Sequence, residues 1–129
     1  MKSNIELNKL ATQVVDACFQ VHKEMGPGLL ENIYVFCLEK ELQLRGLKAN
    51  REVFVPLYYK GIELAKDFRI DILVEDEIIV EVKSAETMHP VYDAQIISYL
   101  KLTDKKLGFL VNFNVPLIKN GIKRIVNNF

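Results

Sequence analysis

Asp71, Glu81 and Lys83 are the residues of this 129-residue chain whose types and spacing could do chemistry. They lie between Asp67 and Ser84, a stretch that sorts by parity into two strands joined near Glu75-Asp76-Glu77. Phe68, Ile70, Ile72, Val74, Ile78, Val80 and Val82 are all apolar, so the even positions are expected to form one continuous buried face. The odd positions put Asp67, Arg69, Asp71, Glu81 and Lys83 on the other face, with Leu73 and Ile79 nearer the turn. A three-residue loop sets Val74 against Ile78 and Asp71 directly against Glu81, with Cβ atoms roughly 4.5 to 5.5 Å apart. Two carboxylates at that separation repel, and a divalent cation between them turns the repulsion into a binding site. Lys83 brings an ammonium to the same point. The three together have the parts needed to hold Mg²⁺ and activate a water for attack on a phosphodiester. A solvated ladder of ion pairs on an exposed sheet face is the alternative. Leu73 and Ile79 argue that the odd face is partly covered, but on the chemistry alone the two readings stand level.

Elements on either side must hold this hairpin in place. Ser3 and Glu6 have the spacing of a capping box, and Leu7, Leu10, Ala11, Val14, Cys18, Val21 and Met25 recur with helical period, predicting a helix over 4–25. Gly26-Pro27-Gly28 breaks it. A second helix is expected over 29–45, with Leu30, Ile33, Cys37, Leu38 and Leu42 as its stripe and Gly46 as its stop, so the two make an N-terminal helical hairpin. Val53 to Tyr59 and Ile62 to Leu64 read as a strand pair around Lys60-Gly61, with Pro56 demanding an edge position or a bulge. His89-Pro90 opens a third helix to about Thr103, Leu107 to Phe113 has strand length, and Ile122 to Val126 is a last strand. The order ααββββαββ implies an α/β (mixed α+β) fold, a central mixed sheet flanked by helices, within one domain over 1–129.

Composition narrows the function classes. No apolar run approaches the roughly 18 residues of a membrane span, and Met1 to Leu10 has no signal-peptide core, so a cytoplasmic location is expected. Cys18 and Cys37 lie in apolar helical patterns, as reduced thiols do, and two cysteines cannot ligate an iron–sulfur cluster within one chain. The 17 basic and 17 acidic residues cancel. From Lys101 onward, however, six basic residues (Lys101, Lys105, Lys106, Lys119, Lys123, Arg124) face Asp104 alone, making the tail +5 and the remainder −5. A basic flank beside an acidic metal site suits a phosphate backbone; a solvated surface is the blander explanation. His22 and His89 are too few for a histidine-based site and are expected to be structural.

Asp71 and Glu81-Val82-Lys83 resemble the Asp and Glu-x-Lys of the PD-(D/E)xK nuclease superfamily, with Ile70 where proline often precedes the Asp. Gln95-Ile96-Ile97-Ser98-Tyr99 is similar to the Q-x-x-x-Y helix of its helicase-associated branch, and Gly28-Leu29-Leu30-Glu31-Asn32-Ile33-Tyr34 to the motif of the GxxExxY family. The resemblance implies a restriction-endonuclease-like core and a nuclease dependent on Mg²⁺ or Mn²⁺, acting on DNA more than on RNA. It implies that Asp71, Glu81 and the Val82 carbonyl ligate the metal, and that Lys83 orients or activates the attacking water. It further implies that Glu31 adds a carboxylate to the metal or its waters, although the helix dipole alone favours a Glu there. Tyr34 then either supports Glu31 or packs in the core. Gln95 and Tyr99 would contact Lys83 or a phosphate, against the plainer roles of surface amide and core aromatic. A catalytically silent nuclease fold that binds nucleic acid or a protein partner is the competing reading, and a structural protein with an ion-pair ladder a further one. Oligomeric state, a homodimer included, stays open.

Overall fold

The computed structural model describes residues 2–129. Helix α1 (Asn4–Met25) begins with the expected reciprocal box: the Ser3 hydroxyl accepts from the Glu6 N–H at 3.1 Å, and the Glu6 carboxylate accepts from the Ser3 N–H at 3.1 Å. Its stripe from Leu7 to Val21 is buried, and Gly26, at φ 68°, ends it. Helix α2 (Glu31–Leu44) starts two residues later than its apolar pattern suggests, because Leu30 occupies the cap position with no side chain able to cap. Glu31 thereby becomes the first helical residue, at the positive end of the dipole.

Five strands follow: β1 (Ala49–Tyr59), β2 (Ile62–Val74), β3 (Ile78–Lys83), β4 (Leu107–Asn112) and β5 (Ile122–Val126), with α3 (Pro90–Thr103) between β3 and β4 and a single 3₁₀ turn at Ile118–Asn120. The sheet order is β1-β2-β3-β4-β5, and only β3 and β4 run parallel, joined through α3. This is a mixed α/β architecture, consistent with a restriction-endonuclease-like core. It has one strand fewer than the sequence reading. Ile62 to Leu64 does not stop, because Ala65-Lys66 contains no turn former and pairing to β1 carries the chain on as one 13-residue strand. Pro56 meets both of its conditions at once, since β1 is an edge strand whose register shifts between Pro56 and Tyr58. Lys60 and Gly61, at φ 51° and 78°, form the two-residue turn to β2.

One core lies between the sheet and α1 and α2, where Leu7, Val14, Tyr34, Leu38 and Leu42 meet Ile72, Val80, Val82 and Phe113. A smaller one lies under α3, where Ile96 and Leu100 meet Ile70, Leu73 and Ile79. Cys18 is buried and Cys37 half-buried, both as free thiols, and burial pushes the Cys18 thiol up to about 12. Among the described residues no helix is long and apolar enough to cross a membrane.

The turn after Lys83 is held from the neighbouring strand. The buried Asn112 amide accepts from the Ala85 and Asn114 N–H groups, each at 3.1 Å, and donates to the Ala85 carbonyl at 2.9 Å. Gly121 closes on the same place: its carbonyl accepts from the Asn112 N–H at 2.8 Å, and a Cβ there would sit 2.1 Å from the Asn112 carbonyl oxygen. Backbone cannot yield to such a contact as a flexible side chain could. Gly121→Ala is therefore expected to destabilise the protein by roughly 2 to 4 kcal/mol, the range of a severe steric mutation. A urea melt measures it, and an unchanged midpoint would refute the close approach.

Candidate active site

The expected single apolar face across β2 and β3 does not exist; it breaks at Asp71. Ile72 and Val74 point to the α1 and α2 side, whereas Ile70 and Phe68 pack with Leu73, Ile79 and Tyr99 under α3. The same reversal occurs in β1, where Arg51 reaches Glu39 of α2 but Val53 packs on the α3 side. Between them stands Glu52 at φ 54°, a conformation that strands do not use. Alternation read through a strand cannot see such a switch, because Phe68 and Ile70 are apolar on either face. Covering both faces of the sheet with helices makes both parities equally hydrophobic.

Pairing of β2 with β3 stops at Ile72 and Val80. Continuing that register would join Ile70 to Val82 and set Asp71 against Glu81, but the strands splay into a fork instead. The two carboxylates bridge it: the Val82 N–H donates to Asp71 Oδ2 at 2.8 Å, and the Asp71 N–H donates to Glu81 Oε2 at 2.8 Å. Asp71 and Glu81 are thus neighbours as the spacing suggested, by exchanging bonds with each other's backbone and not as a regular cross-strand pair. Each uses one oxygen in this way.

A cleft of about 430 Å³ opens in the fork, and Glu31, Asp71, Glu81, Lys83, Gln95 and Tyr99 all line it. Asp71 comes from the end of the β2 pairing, Glu81 and Lys83 from β3, Glu31 from the start of α2, and Gln95 and Tyr99 from one face of α3. The Ser84 hydroxyl, donating to the Leu29 carbonyl at 2.6 Å, ties the end of β3 to the start of α2 and so brings Glu31 to Lys83. Tyr99 stacks on Phe68, centroids 4.2 Å apart at 6°, which sets the α3 wall against β2. Lys83 lines the cleft, and its ammonium lies 4.5 Å from the centre of the Tyr92 ring in a cation–π contact.

Electrostatically the cleft carries more negative charge than its surroundings relieve. Glu81 is 5% exposed, and burial, then the Asp71 carboxylate, push its carboxyl up to about 8. Burial also raises Asp71, against the lowering effects of the Val82 N–H and Lys83, and it raises Glu31. The Tyr99 hydroxyl is raised by burial and by both the Glu81 and Asp71 carboxylates. Among the described residues no three His, Cys, Asp or Glu side chains converge tightly enough to hold an ion unaided. The donors at the fork are all hard oxygens, and Mg²⁺ characteristically uses one or two carboxylates and keeps several waters. The arrangement therefore fits such an ion at the Asp71–Glu81 pair, with Glu31 lining the same cleft.

Other expectations resolve differently. The Tyr34 hydroxyl bonds to the loop and not to Glu31: the ring is fully buried, stacked on Phe113 at 4.6 Å, and the hydroxyl donates to the Gly26 carbonyl at 2.6 Å while accepting from the Leu29 N–H at 3.0 Å. It pins the loop that leads into Glu31. His22 contacts the Val115 carbonyl at 2.8 Å and His89 caps α3, both structural as expected. None of the six tail cations lines the cleft. Lys123 pairs with Asp93 at 2.5 Å, and Arg124 bonds the Asn8 side chain at 2.9 Å beside α1, so they face opposite sides of the sheet. The cations that do line it besides Lys83 are Arg51 and Arg69, with Asn32 and Glu52 also present. Arg51 and Glu52 were hidden because β1 reads as an ordinary edge strand; the charged Arg51-Glu52 step before the apolar run at Val53 was the only signal.

The family model of the PD-(D/E)XK nuclease superfamily matches residues 8–125. Comparisons with curated proteins and with solved structures bring no match. The matched span covers nearly the whole chain and includes both arms of the fork and every side chain that lines the cleft, and so the chain belongs to the PD-(D/E)XK nuclease superfamily.

Proposed function

We propose that this chain, as one nuclease-like domain over 1–129 of the GxxExxY kind, hydrolyses phosphodiester bonds of nucleic acid, DNA more than RNA, with Mg²⁺ or Mn²⁺. The observation that carries the reading is the fork: two carboxylates, one nearly fully buried, anchored by backbone N–H groups, with an ammonium beside them in a polar cleft. An ion-pair ladder on a solvated face would show neither the burial nor the open strands.

Asp71 and Glu81 hold the ion through the oxygens that their N–H bonds leave over. Because the Val82 N–H turns toward Asp71, the Val82 carbonyl turns into the same gap and is the natural third ligand. Glu31 acts through waters across the cleft. A bound divalent ion would supply a water that is nucleophilic at neutral pH and countercharge for the phosphate oxygens. Lys83, steadied by Tyr92, orients the attacking water and offsets charge as it develops on the phosphorane-like transition state. Gln95 and Tyr99, one helical turn apart, orient Lys83 or a non-bridging phosphate oxygen.

Three outcomes are expected. Titration calorimetry with Mg²⁺ or Mn²⁺ should show binding that Asp71→Asn abolishes; equal binding by both proteins would move the ion elsewhere. Lys83→Ala should bind ion and nucleic acid nearly as before but cleave roughly 100-fold or more slowly, the scale of losing a preorganised electrostatic group. Full activity in that variant would sink the mechanism. Finally, the Glu81 carboxyl sits above its unfolded value, so its contribution to stability is complete below about pH 4.5 and is lost as pH rises through about 8. In chelator, the melting temperature should fall between those limits by about 5 °C or more. Glu81→Gln should flatten the fall, and added ion should reverse it in the wild type. A flat wild-type profile would show that the fork carries no unrelieved charge.

A further inference from the structure

Two arginines line the cleft, and each lies over an exposed phenyl ring just beyond it. The Arg51 guanidinium is 5.4 Å from the centre of the Phe36 ring, over which the Lys40 ammonium also lies at 5.3 Å, and the Arg69 guanidinium is 5.7 Å from the centre of the Phe54 ring. Phe36 is 46% exposed and Phe54 60% exposed, large apolar faces left in water at the mouth of a charged site. Phe36 projects from α2 and Phe54 from β1, opposite Arg69 in the ladder, so the two pairs come from separate elements and converge on the fork. Isolated exposed aromatics are ordinary. The repetition of one arrangement beside one cleft is what requires an account.

The cations are also held in readiness. Arg51 is fixed by the Glu39 carboxylate at 3.2 Å, from a side chain only 11% exposed. Arg69 meets Glu52 at 3.7 Å with both side chains more than half exposed, a pair that a phosphate displaces at little cost. These are the two cations besides Lys83 that line the cleft, and the charge of Arg69 already reaches Asp71.

Resting on the nuclease reading, we propose that Phe36–Arg51 and Phe54–Arg69 form a shelf for single-stranded nucleic acid, with unpaired bases stacking on the two phenyl rings and phosphates held by the two guanidinium groups. A base inside a duplex has both faces occupied by its neighbours and offers none to a ring, whereas every unpaired base does. The substrate class is therefore a single strand, or the unpaired end of a duplex. Sequence preference should be weak, because the rings read the π-face that all bases share.

The test is fluorescence anisotropy with a labelled thymidine oligonucleotide, alone and annealed to its complement, in chelator over a range of salt, together with cleavage rates on both in Mg²⁺ and Mn²⁺. Wild type should bind and cut the single strand in preference. Phe54→Ala and Phe36→Ala should each weaken single-strand binding by roughly ten-fold while leaving duplex binding alone, as expected for loss of one base stack. Phe54→Leu, which keeps the apolar bulk, should behave like Phe54→Ala. Arg51→Gln and Arg69→Gln should each flatten the logarithmic salt dependence by about 0.7, one phosphate contact on a single strand. Cleavage of duplex at least as fast as single strand, or Phe variants indistinguishable from wild type, would overturn the shelf and leave the nuclease standing. If neither oligonucleotide is bound or cut, both readings fall together.

Discussion

The molecule depends on two hydrogen bonds that do not belong to its sheet. Where β2 and β3 should continue pairing, the carboxylates of Asp71 and Glu81 accept from backbone N–H groups across the gap, each at 2.8 Å. These bonds take the place of the missing ladder bonds, which is how a central strand pair can part without leaving buried donors orphaned. No buried side-chain polar atom among the described residues lacks a partner. The same two bonds orient the remaining carboxylate oxygens. Opening the fold and building the site are one act.

That act has an electrostatic price set by burial. Glu81 sits on a strand buried along all but its last residue, with helices on both faces of the sheet, and Lys83 is the one ammonium in the cleft beside Asp71, Glu81 and Glu31. Such a centre is stable only with protons or with added positive charge, and which it takes decides whether it is a resting or a working site. Arg51 and Arg69 line the same cleft, where they attract a polyanion and where Arg69 partly offsets the charge of Asp71.

Much of this was legible in the residue order. Capping at Ser3, the Gly26 break, the odd loop at Glu75-Asp76-Glu77, the Lys60-Gly61 turn and Pro at the start of α3 each have a local cause, and each stands where it was expected. Of the seven side chains singled out by motif, all but Tyr34 line one cleft, and Asp71 and Glu81 meet. What escaped was long-range. A reversal of strand parity at Asp71 and Glu52 leaves no mark when both faces are apolar, so Ile70 and Phe68 were assigned to the wrong layer. Tyr34 carries a hydroxyl that either a site or a loop could use, and only the fold brings Gly26 and Leu29 to it. Charge counting along the chain grouped Lys123 with Arg124, yet alternation along β5 sends them to opposite faces.

Parting β2 from β3 also leaves the outer reach of β2, from Ile62 to Asp71, with β1 on one side and no strand on the other. An open strand edge is a template for unwanted association between copies. Here Glu63, Lys66, Asp67 and Arg69 lie along it, all exposed, with both signs interleaved over a few residues. A second copy laid against this edge would have to match that alternation in register and bury it. The charges that frame the fork therefore also disfavour edge-to-edge pairing, and replacing them with β-branched apolar residues would remove that barrier to ribbon-to-ribbon aggregation.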